Sequence, residues 1–194
     1  MKAIFETCAP RDEVLKGELR EQQFAASLTR VLRGNADDVY RDPGVFFANT
    51  YPTSGLKSLL REGLGRLSGS SPNSAPVIRL ETSFGGGKTH NLIALYHLCN
   101  GKVDPKAVHA FVSKDLVPKK PIARIAGVVG PDMGAADGID HGDVRTFTLW
   151  GELAYQLGHH SGGEEGARAA YEVVKNRDQQ RTAPGTQVWE KLIG

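Results

Sequence analysis

Apolar side chains recur with helical spacing in two stretches near the start of the chain. The first predicts an amphipathic helix over residues 18–33 that ends at Gly34. The second predicts a helix over residues 54–67 with its N-terminal cap at Thr53 or Ser54. The apolar stripe of the first helix consists of Phe24, Leu28, Val31 and Leu32. Stripes of this width are typical of core packing, so neither helix is expected to carry chemistry.

Two later runs are apolar without helical spacing. Residues 77–80 and 122–129 predict buried strands, and residues 89–100 between them predict a helix that is covered on nearly every side and ends at Gly101. Further helices are expected over residues 145–158, 164–176 and 187–193, with a break at residues 159–163. The expected fold is therefore α/β, a partial parallel sheet flanked by helices and preceded by a mainly helical N-terminal segment.

A glycine-rich loop (residues 82–89) joins the first predicted strand to the apolar helix. Glycines let main-chain amides approach a phosphate group, and the helix start adds unpaired amides and the positive end of its dipole. Lys88 is placed to reach the β- and γ-phosphate oxygens of a nucleotide, and Thr89 to bind Mg²⁺. The order of strand, loop and helix predicts a P-loop NTPase core that binds ATP or GTP. The residues expected to hold the nucleotide are Ser83, Phe84, Gly85, Gly86, Gly87, Lys88 and Thr89, with Lys88 also as the catalytic residue.

This motif departs from the usual P-loop pattern at one position, where Thr82 stands in place of the first glycine. The alternative interpretation is a glycine-rich surface turn that merely precedes a helix. The strand before the loop and the apolar helix after it favour the phosphate-binding interpretation. The predicted domain organisation is a helical segment over residues 1–69, a linker over 70–76 and the NTPase core over 77–194.

A nucleotide base also needs a flat apolar contact, because a phosphate loop holds only one end of the ligand. Phe46, Phe47 and Tyr51 are the candidates shortly upstream of the loop, and Tyr51 is included among the predicted nucleotide-binding residues. The alternative is that these aromatic side chains belong to the core, which is the more common fate of such residues.

Charge and cysteine content narrow the classes of partner. The formal net charge of the 194 residues is only +2, so no global field indicates nucleic acid or an anionic membrane, and DNA is supported only indirectly. Cys8 and Cys99 have no metal-like spacing and suit a reducing compartment. The sequence shows no membrane-spanning run or signal peptide, which predicts a cytoplasmic protein. The six histidines form no pair with metal-ligand spacing and are expected to be ordinary packed or surface residues.

Hydrolysis requires more than a phosphate-binding loop, namely an acidic residue behind the metal and a residue that orients water. The nearest acidic candidate is Asp132, which follows the second predicted strand but is displaced from its tip by a Gly-Pro pair. Arg124 and Arg145 are available as arginine fingers, although neither is favoured by its position. Whether the protein turns over ATP is therefore left open by the sequence.

Several segments resemble one family of proteins. They are residues 46–53 (FFANTYPT), 80–90 (LETSFGGGKTH), 94–98 (ALYHL), 149–158 (LWGELAYQLG) and 183–185 (APG). Together they are similar to the N-terminal part of large bacterial and archaeal AAA-type ATPases of uncharacterised function, which are often encoded beside DNA methylases and helicases in phage-defence or restriction-like clusters. The resemblance implies ATP and Mg²⁺ as ligands of residues 85–89.

The resemblance also implies that family members are much longer, with the acidic strand further downstream. The chain is then expected to be a truncated member whose unpaired sheet edge favours self-association or a larger assembly. The leading hypothesis is an ATP-binding AAA-type ATPase domain of a DNA-modification or phage-defence system. The alternative is a nucleotide-gated interaction or scaffold module that binds ATP without hydrolysing it.

Overall fold

The computed structural model describes residues 8–10, 12–17, 25–81, 85–134 and 136–193, and these are mostly helical. Residues 18–24 of the first predicted helix, and Thr82, Ser83 and Phe84 of the glycine-rich loop, lie outside the described residues. The helices are α1 (Asp12–Leu15), α2 (Leu28–Leu32), α3 (Asp38–Arg41), α4 (Pro43–Ala48), α5 (Ser54–Leu67), α6 (Lys88–Cys99), α7 (Leu149–Gln179) and α8 (Thr186–Ile193). The strands are β1 (Ile139–Asp140) and β2 (Arg145–Thr146), and 3₁₀ turns lie at Lys114–Leu116 and Gly130–Asp132.

The predicted α/β fold with a P-loop NTPase core is wrong. Among the described residues the only sheet is the two-stranded one formed by β1 and β2, which pair antiparallel. Residues 77–80, the strand expected to lead into the glycine-rich loop, form no strand, and Val77 is 79% exposed. A strand is stable only when its backbone groups are paired and one face is covered. Among the described residues this segment pairs with no strand, and three of its four residues are exposed, so its β-branched side chains alone do not make it a strand.

The second predicted strand, residues 122–129, is an extended and half-buried segment without strand pairing. The Ile122 amide donates to the Cys99 carbonyl oxygen (3.0 Å), and the Gly127 amide donates to the side-chain oxygen of Gln156 (2.7 Å). These two bonds connect the segment to α6 and α7. The apolar run is therefore partly buried against these helices without pairing in a sheet.

The first hydrophobic core lies between α5 and α6 and the short helices before them. Helix α5 has the bounds that the leucine spacing predicts, and the Thr53 hydroxyl oxygen accepts a hydrogen bond from the Leu56 amide at its start (3.2 Å). Leu56, Leu60 and Leu64 are each at most 1% exposed. The face that the sequence marks as apolar is thus the face that the fold buries.

Helix α6 is held against the chain before α5 by a buried histidine. His97 is 5% exposed, and its Nε2 lies 2.8 Å from the Tyr40 carbonyl oxygen, to which it donates. Burial lowers the pKa of His97, an effect only partly offset by this hydrogen bond and by the charge of Asp42. The helix ends before Gly101, which has φ of 65° and lies so close to the Lys120 backbone that a Cβ would overlap it. The predicted stop at this glycine is confirmed.

The second core belongs to a helical hairpin made by the two halves of α7. Gly162 and Gly163 have non-helical backbone angles, so the helix folds back on itself inside the predicted break. Gly158 faces the partner half so closely that a Cβ there would lie 2.3 Å from the Gly166 carbonyl oxygen. Helix α8 then packs on the hairpin, with Leu192 in its core. Glycines set the short distance between these helices because no side chain fits there.

The start of α7 is fixed by a buried carboxylate from the other end of the hairpin. Asp178 is 1% exposed and accepts hydrogen bonds from the amides of Phe147 (3.0 Å) and Thr148 (2.8 Å). It also accepts from the hydroxyls of Thr148 (2.6 Å) and Tyr171 (2.9 Å). The Thr148 side chain in turn caps the Gly151 amide (3.2 Å). This network joins both ends of the hairpin.

Candidate functional site

The described part of the glycine-rich loop has the backbone that its glycines allow. Gly85 and Gly87 have φ of 79° and 75°, in the left-handed region where glycine is strongly preferred. Residues 85–87 are exposed, and nothing lies within 4 Å of the position that a Cβ would take at Gly85 or Gly87. The glycines are therefore required by backbone conformation and not by a close neighbour, so space is left beside them.

Helix α6 begins directly after this loop without a side-chain cap. Gly87 occupies the cap position in a left-handed conformation, and its carbonyl oxygen accepts the first helical hydrogen bond from the Asn91 amide (2.9 Å). Lys88 and Thr89 form the first turn and are half-buried, and no acidic residue lies in that turn. The first amides of a helix have no partner within the helix, so this end is suited to an anion.

The next residue anchors the start of α6 to α4. His90 stacks on the Phe46 ring with centroids 4.4 Å apart, and its Nε2 lies 2.8 Å from the Thr50 hydroxyl oxygen. Because Thr50 donates its own hydrogen to the Phe46 carbonyl (2.6 Å), His90 is the donor in the first bond. Burial lowers the pKa of His90, which favours this neutral form. The glycine-rich loop is therefore followed by a helix start that is fixed on the Phe46 ring and Thr50.

The structure separates the aromatic candidates for base contact. Phe46 and Phe47 are 1% and 2% exposed and belong to the first core, so the alternative interpretation holds for them. Tyr51 is 81% exposed and follows Thr50, the residue that contacts His90 beside the loop. Of the three, only Tyr51 presents its ring to solvent near the start of α6. Its role as a base contact stays a prediction.

Asp132, the acidic candidate from the sequence, does not lie among the loop residues. It accepts a hydrogen bond from the Thr29 hydroxyl and lines a separate cavity of about 540 Å³. None of the described loop residues, 85–89, lines that cavity. Arg124 and Arg145 are also engaged elsewhere: Arg124 donates to the carbonyls of Leu192 and Ile193 at the end of α8, and Arg145 pairs with Asp140.

The cavity lies between α2, the extended segment before Asp132, β1 and the first half of α7. The least exposed charged residue of its lining is Glu152, which is 2% exposed. Glu152 accepts hydrogen bonds from His141 Nε2 (2.8 Å), the Thr146 hydroxyl (2.6 Å) and the Gln156 amide (2.6 Å). Burial raises the pKa of Glu152, but these hydrogen bonds outweigh it and leave the pKa below its usual value. Glu152 is therefore an ionised, fully coordinated carboxylate.

A layer of stacked rings forms the adjacent wall of the cavity. His141 stacks on Tyr155 with centroids 3.8 Å apart and planes 20° apart, and the His159 ring lies nearly parallel to Tyr155 with centroids 6.3 Å apart. The Tyr155 hydroxyl donates to Glu164 (3.1 Å). Burial and then the Glu164 carboxylate raise the pKa of Tyr155 to about 12.

This cluster is not among the sites predicted from the sequence, although the sequence contains one signal for it. Glu152 stands within an otherwise apolar stretch of α7, and a carboxylate at such a position is buried only with partners. The partners come from β1, β2 and α7, and no local pattern indicates their proximity. In the described ranges no three His, Cys, Asp or Glu side chains are grouped so that they could hold a metal ion. No helix within those ranges is long and apolar enough to cross a membrane.

Comparison with known proteins places the chain in one family. The model of the DUF499 N-terminal domain matches residues 4–129. The chain belongs to the DUF499 family. The matched region contains the first core and the glycine-rich loop, whereas the α7 hairpin lies beyond it. No curated protein and no solved structure matched the chain. The DUF499 description names no activity, so function is argued from geometry.

Proposed function

We propose that the glycine-rich loop of this DUF499 protein binds the triphosphate of ATP together with Mg²⁺. The observation that carries the proposal is the left-handed backbone of Gly85 and Gly87 directly before the uncapped start of α6. Positive φ at glycines turns amides toward one point, and the helix dipole adds a favourable potential for an anion there. Lys88 would contact the β- and γ-phosphates, and Thr89 would bind the metal.

The proposal rests on this local geometry and not on a P-loop NTPase core, which the described residues do not form. The anchoring of His90 on Phe46 and Thr50 supports it, because a rigid helix start holds its amides in place for the ligand. Tyr51, exposed beside this anchor, is the proposed contact for the adenine ring. The resemblance to AAA-type ATPases supports ATP as the nucleotide and a DNA-modification or phage-defence system as the setting.

A specific observation favours the second candidate, a module that binds ATP without turnover. Asp132, the acidic candidate that follows the second predicted strand, is bonded to Thr29 in the separate cavity. Hydrolysis needs a carboxylate near the metal and an oriented water. ATP binding would then act by ordering the loop of residues 130–142 for a partner protein.

Isothermal titration of the full chain with Mg-ATP tests the binding proposal. A charge-assisted lysine contact contributes about 1.5–3 kcal/mol, so Lys88→Ala should weaken binding by about tenfold or more. Lys57→Ala, which removes an exposed lysine from α5, is the matched control and should leave the affinity unchanged. Equal affinities of the wild type and Lys88→Ala would contradict the proposal.

Two further measurements test the contact with the base and the hydrolysis of ATP. Tyr51→Ala should weaken ATP but not inorganic triphosphate, since only ATP carries a base for the ring to contact. Steady-state release of phosphate from ATP would favour an ATPase, whereas binding without release would favour the module that does not turn over ATP.

A further inference from the structure

We propose that the cavity lined by Glu152 and His141 is a second binding site, one that accepts a purine nucleoside monophosphate. It shares no described residue with the glycine-rich loop and goes beyond the proposed triphosphate site. The ring would occupy the inner chamber beside Tyr155, and the phosphate would lie at the mouth beside Arg30 and Arg33. Four features of the cavity lead to this ligand.

The first feature is size and continuity. The inner chamber of about 540 Å³ adjoins an outer one of about 520 Å³. The two share Thr29, Arg33, Asp132, Ile139 and Asp140 as lining residues. Each volume lies within the range typical of small-molecule sites. A ligand with a compact ring and a charged tail therefore has room in both chambers.

The second feature is the balance of charge. Every carboxylate that lines the inner chamber already accepts a hydrogen bond or ion pair: Asp132 from Thr29, Asp140 from Arg145, Glu152 from His141, Thr146 and Gln156, and Glu164 from Tyr155 and His159.

The guanidinium groups of Arg30 and Arg33 stand in contrast to these carboxylates. Both arginines line the outer chamber and are exposed, and neither side chain bonds to another described residue. The outer chamber therefore has a net positive charge, because its two arginines are accompanied only by Asp132 and by an Asp140 that is paired with Arg145. Arginine at such a place favours a phosphate, which accepts two parallel hydrogen bonds from one guanidinium.

The third feature is the shape of the inner chamber. Leu32, Ile125 and Val128 provide apolar lining, and Tyr96 and the stacked pair His141–Tyr155 provide rings. Flat walls of this kind favour a planar ring, because ring–ring contact adds to the burial of apolar surface. An aliphatic anion would leave these walls poorly covered.

The fourth feature is a hydrogen-bond acceptor. His141 Nε2 donates to Glu152, so a neutral imidazole has its lone pair on Nδ1. Nδ1 makes no hydrogen bond with a described residue, and no buried side-chain nitrogen or oxygen in that part of the chain lacks a partner. Nδ1 is therefore accessible, and it suits a ligand that donates, such as the exocyclic amino group of adenine.

Titration of the full chain with adenosine monophosphate tests the proposal. The double variant Arg30→Ala/Arg33→Ala should bind it at least about tenfold more weakly, since a phosphate would lose its charged donors. Arg61→Ala, an exposed arginine on α5, is the matched control and should bind as the wild type does. Purine riboside monophosphate, which lacks the exocyclic amino group, should bind the wild type several-fold more weakly than adenosine monophosphate does. This comparison tests the contact with His141 without altering the protein.

Variants at the two sites separate this cavity from the glycine-rich loop. Lys88→Ala should leave the affinity for adenosine monophosphate unchanged, and the double arginine variant should leave the affinity for inorganic triphosphate unchanged. Loss of adenosine monophosphate binding in Lys88→Ala would overturn the proposal, because the ligand would then occupy the loop. No measurable binding of adenosine monophosphate to the wild type, or equal affinity of adenosine monophosphate for the wild type and the double arginine variant, would overturn it as well.

Discussion

Helices α6 and α7 of the described chain begin in opposite ways. Helix α7 is capped by the hydroxyl of Thr148. The buried Asp178 accepts hydrogen bonds from the amides of Phe147 and Thr148 at this helix start. Helix α6 begins at Gly87, which has no side chain to cap it, and residues 85–87 before it are exposed.

This difference separates a structural helix start from one that is available to a ligand. At α7 the polar groups of the chain satisfy one another, so no anion is needed there. At α6 the cap residue Gly87 provides no side-chain hydrogen bond, and Lys88 and Thr89 form the first turn. A buried carboxylate accepts hydrogen bonds at the start of α7, and a bound phosphate is proposed to accept them at the start of α6.

The largest expected effect comes from removing the carboxylate at α7. Asp178→Ala leaves two amides and two hydroxyls without their buried acceptor, which should destabilise the fold by about 3–5 kcal/mol. Urea unfolding measures the change. Asp143→Ala, which removes an exposed ion pair with Arg168, is the control and should cost less than about 1 kcal/mol. Similar losses for both variants would mean that Asp178 is not the anchor of α7.

The next effect concerns the close approach of the two halves of α7. Gly158→Ala places a methyl group 2.3 Å from the Gly166 carbonyl oxygen and should cost about 1–3 kcal/mol of unfolding free energy. Gly162→Ala is the control, because its φ is −143° and nothing lies within 4 Å of the added Cβ. If both variants unfold at the same urea concentration, the glycine contact does not hold the hairpin together.

A smaller effect is expected at the open helix start. Gly87→Ala should cost about 1 kcal/mol of stability, because φ of 75° is unfavourable for a residue with a Cβ. Gly87→Asn should cost less, since asparagine tolerates this conformation. Gly55→Ala on α5 is the matched control with the opposite sign: alanine favours helix there and should stabilise by up to about 1 kcal/mol. Thermal or urea unfolding of the three variants shows whether their order holds.

The smallest effect is a pH dependence from the histidines that hold α6. Burial lowers the pKa of His97 and His90, so below their unfolded value of about 6.5 the unfolded chain binds more protons than the folded one. Their neutral hydrogen bonds therefore contribute fully above that pH, and stability falls as the pH drops below it.

Urea midpoints at neutral and mildly acidic pH measure this dependence. His97→Gln, which keeps a donor for the Tyr40 carbonyl, should reduce the difference between the two midpoints. His109→Gln changes an exposed histidine and should leave it unchanged. A pH dependence that is the same in all three proteins would place its origin elsewhere, for example in His160, whose pKa burial also lowers.

Local patterns predicted most of the helices. The leucine spacing and Thr53 fixed the bounds of α5, the stops at Gly34 and Gly101 have positive φ, and the break in α7 falls at two glycines. Such features depend on a few neighbouring residues, which is why a single sequence reveals them.

The predicted strands failed for the converse reason. A run such as residues 122–129 is apolar whether it pairs in a sheet or lies between helices, and only distant residues decide. Here the decision falls to Cys99 and Gln156, which accept its backbone hydrogen bonds. Residues 77–80 likewise have no pairing strand among the described residues. A local pattern does not reveal this, because a pairing strand would be distant in the sequence.

The sequence alone determined where the glycine-rich loop and the helix after it lie, because left-handed glycines and an apolar helix are properties of adjacent residues. Only the tertiary structure decided that Phe46 is buried under His90 while Tyr51 is exposed, and that Glu152 meets His141 beside a cavity. Burial and hydrogen-bond partners depend on contacts between residues far apart in the chain, and those contacts exist only once the helices have packed.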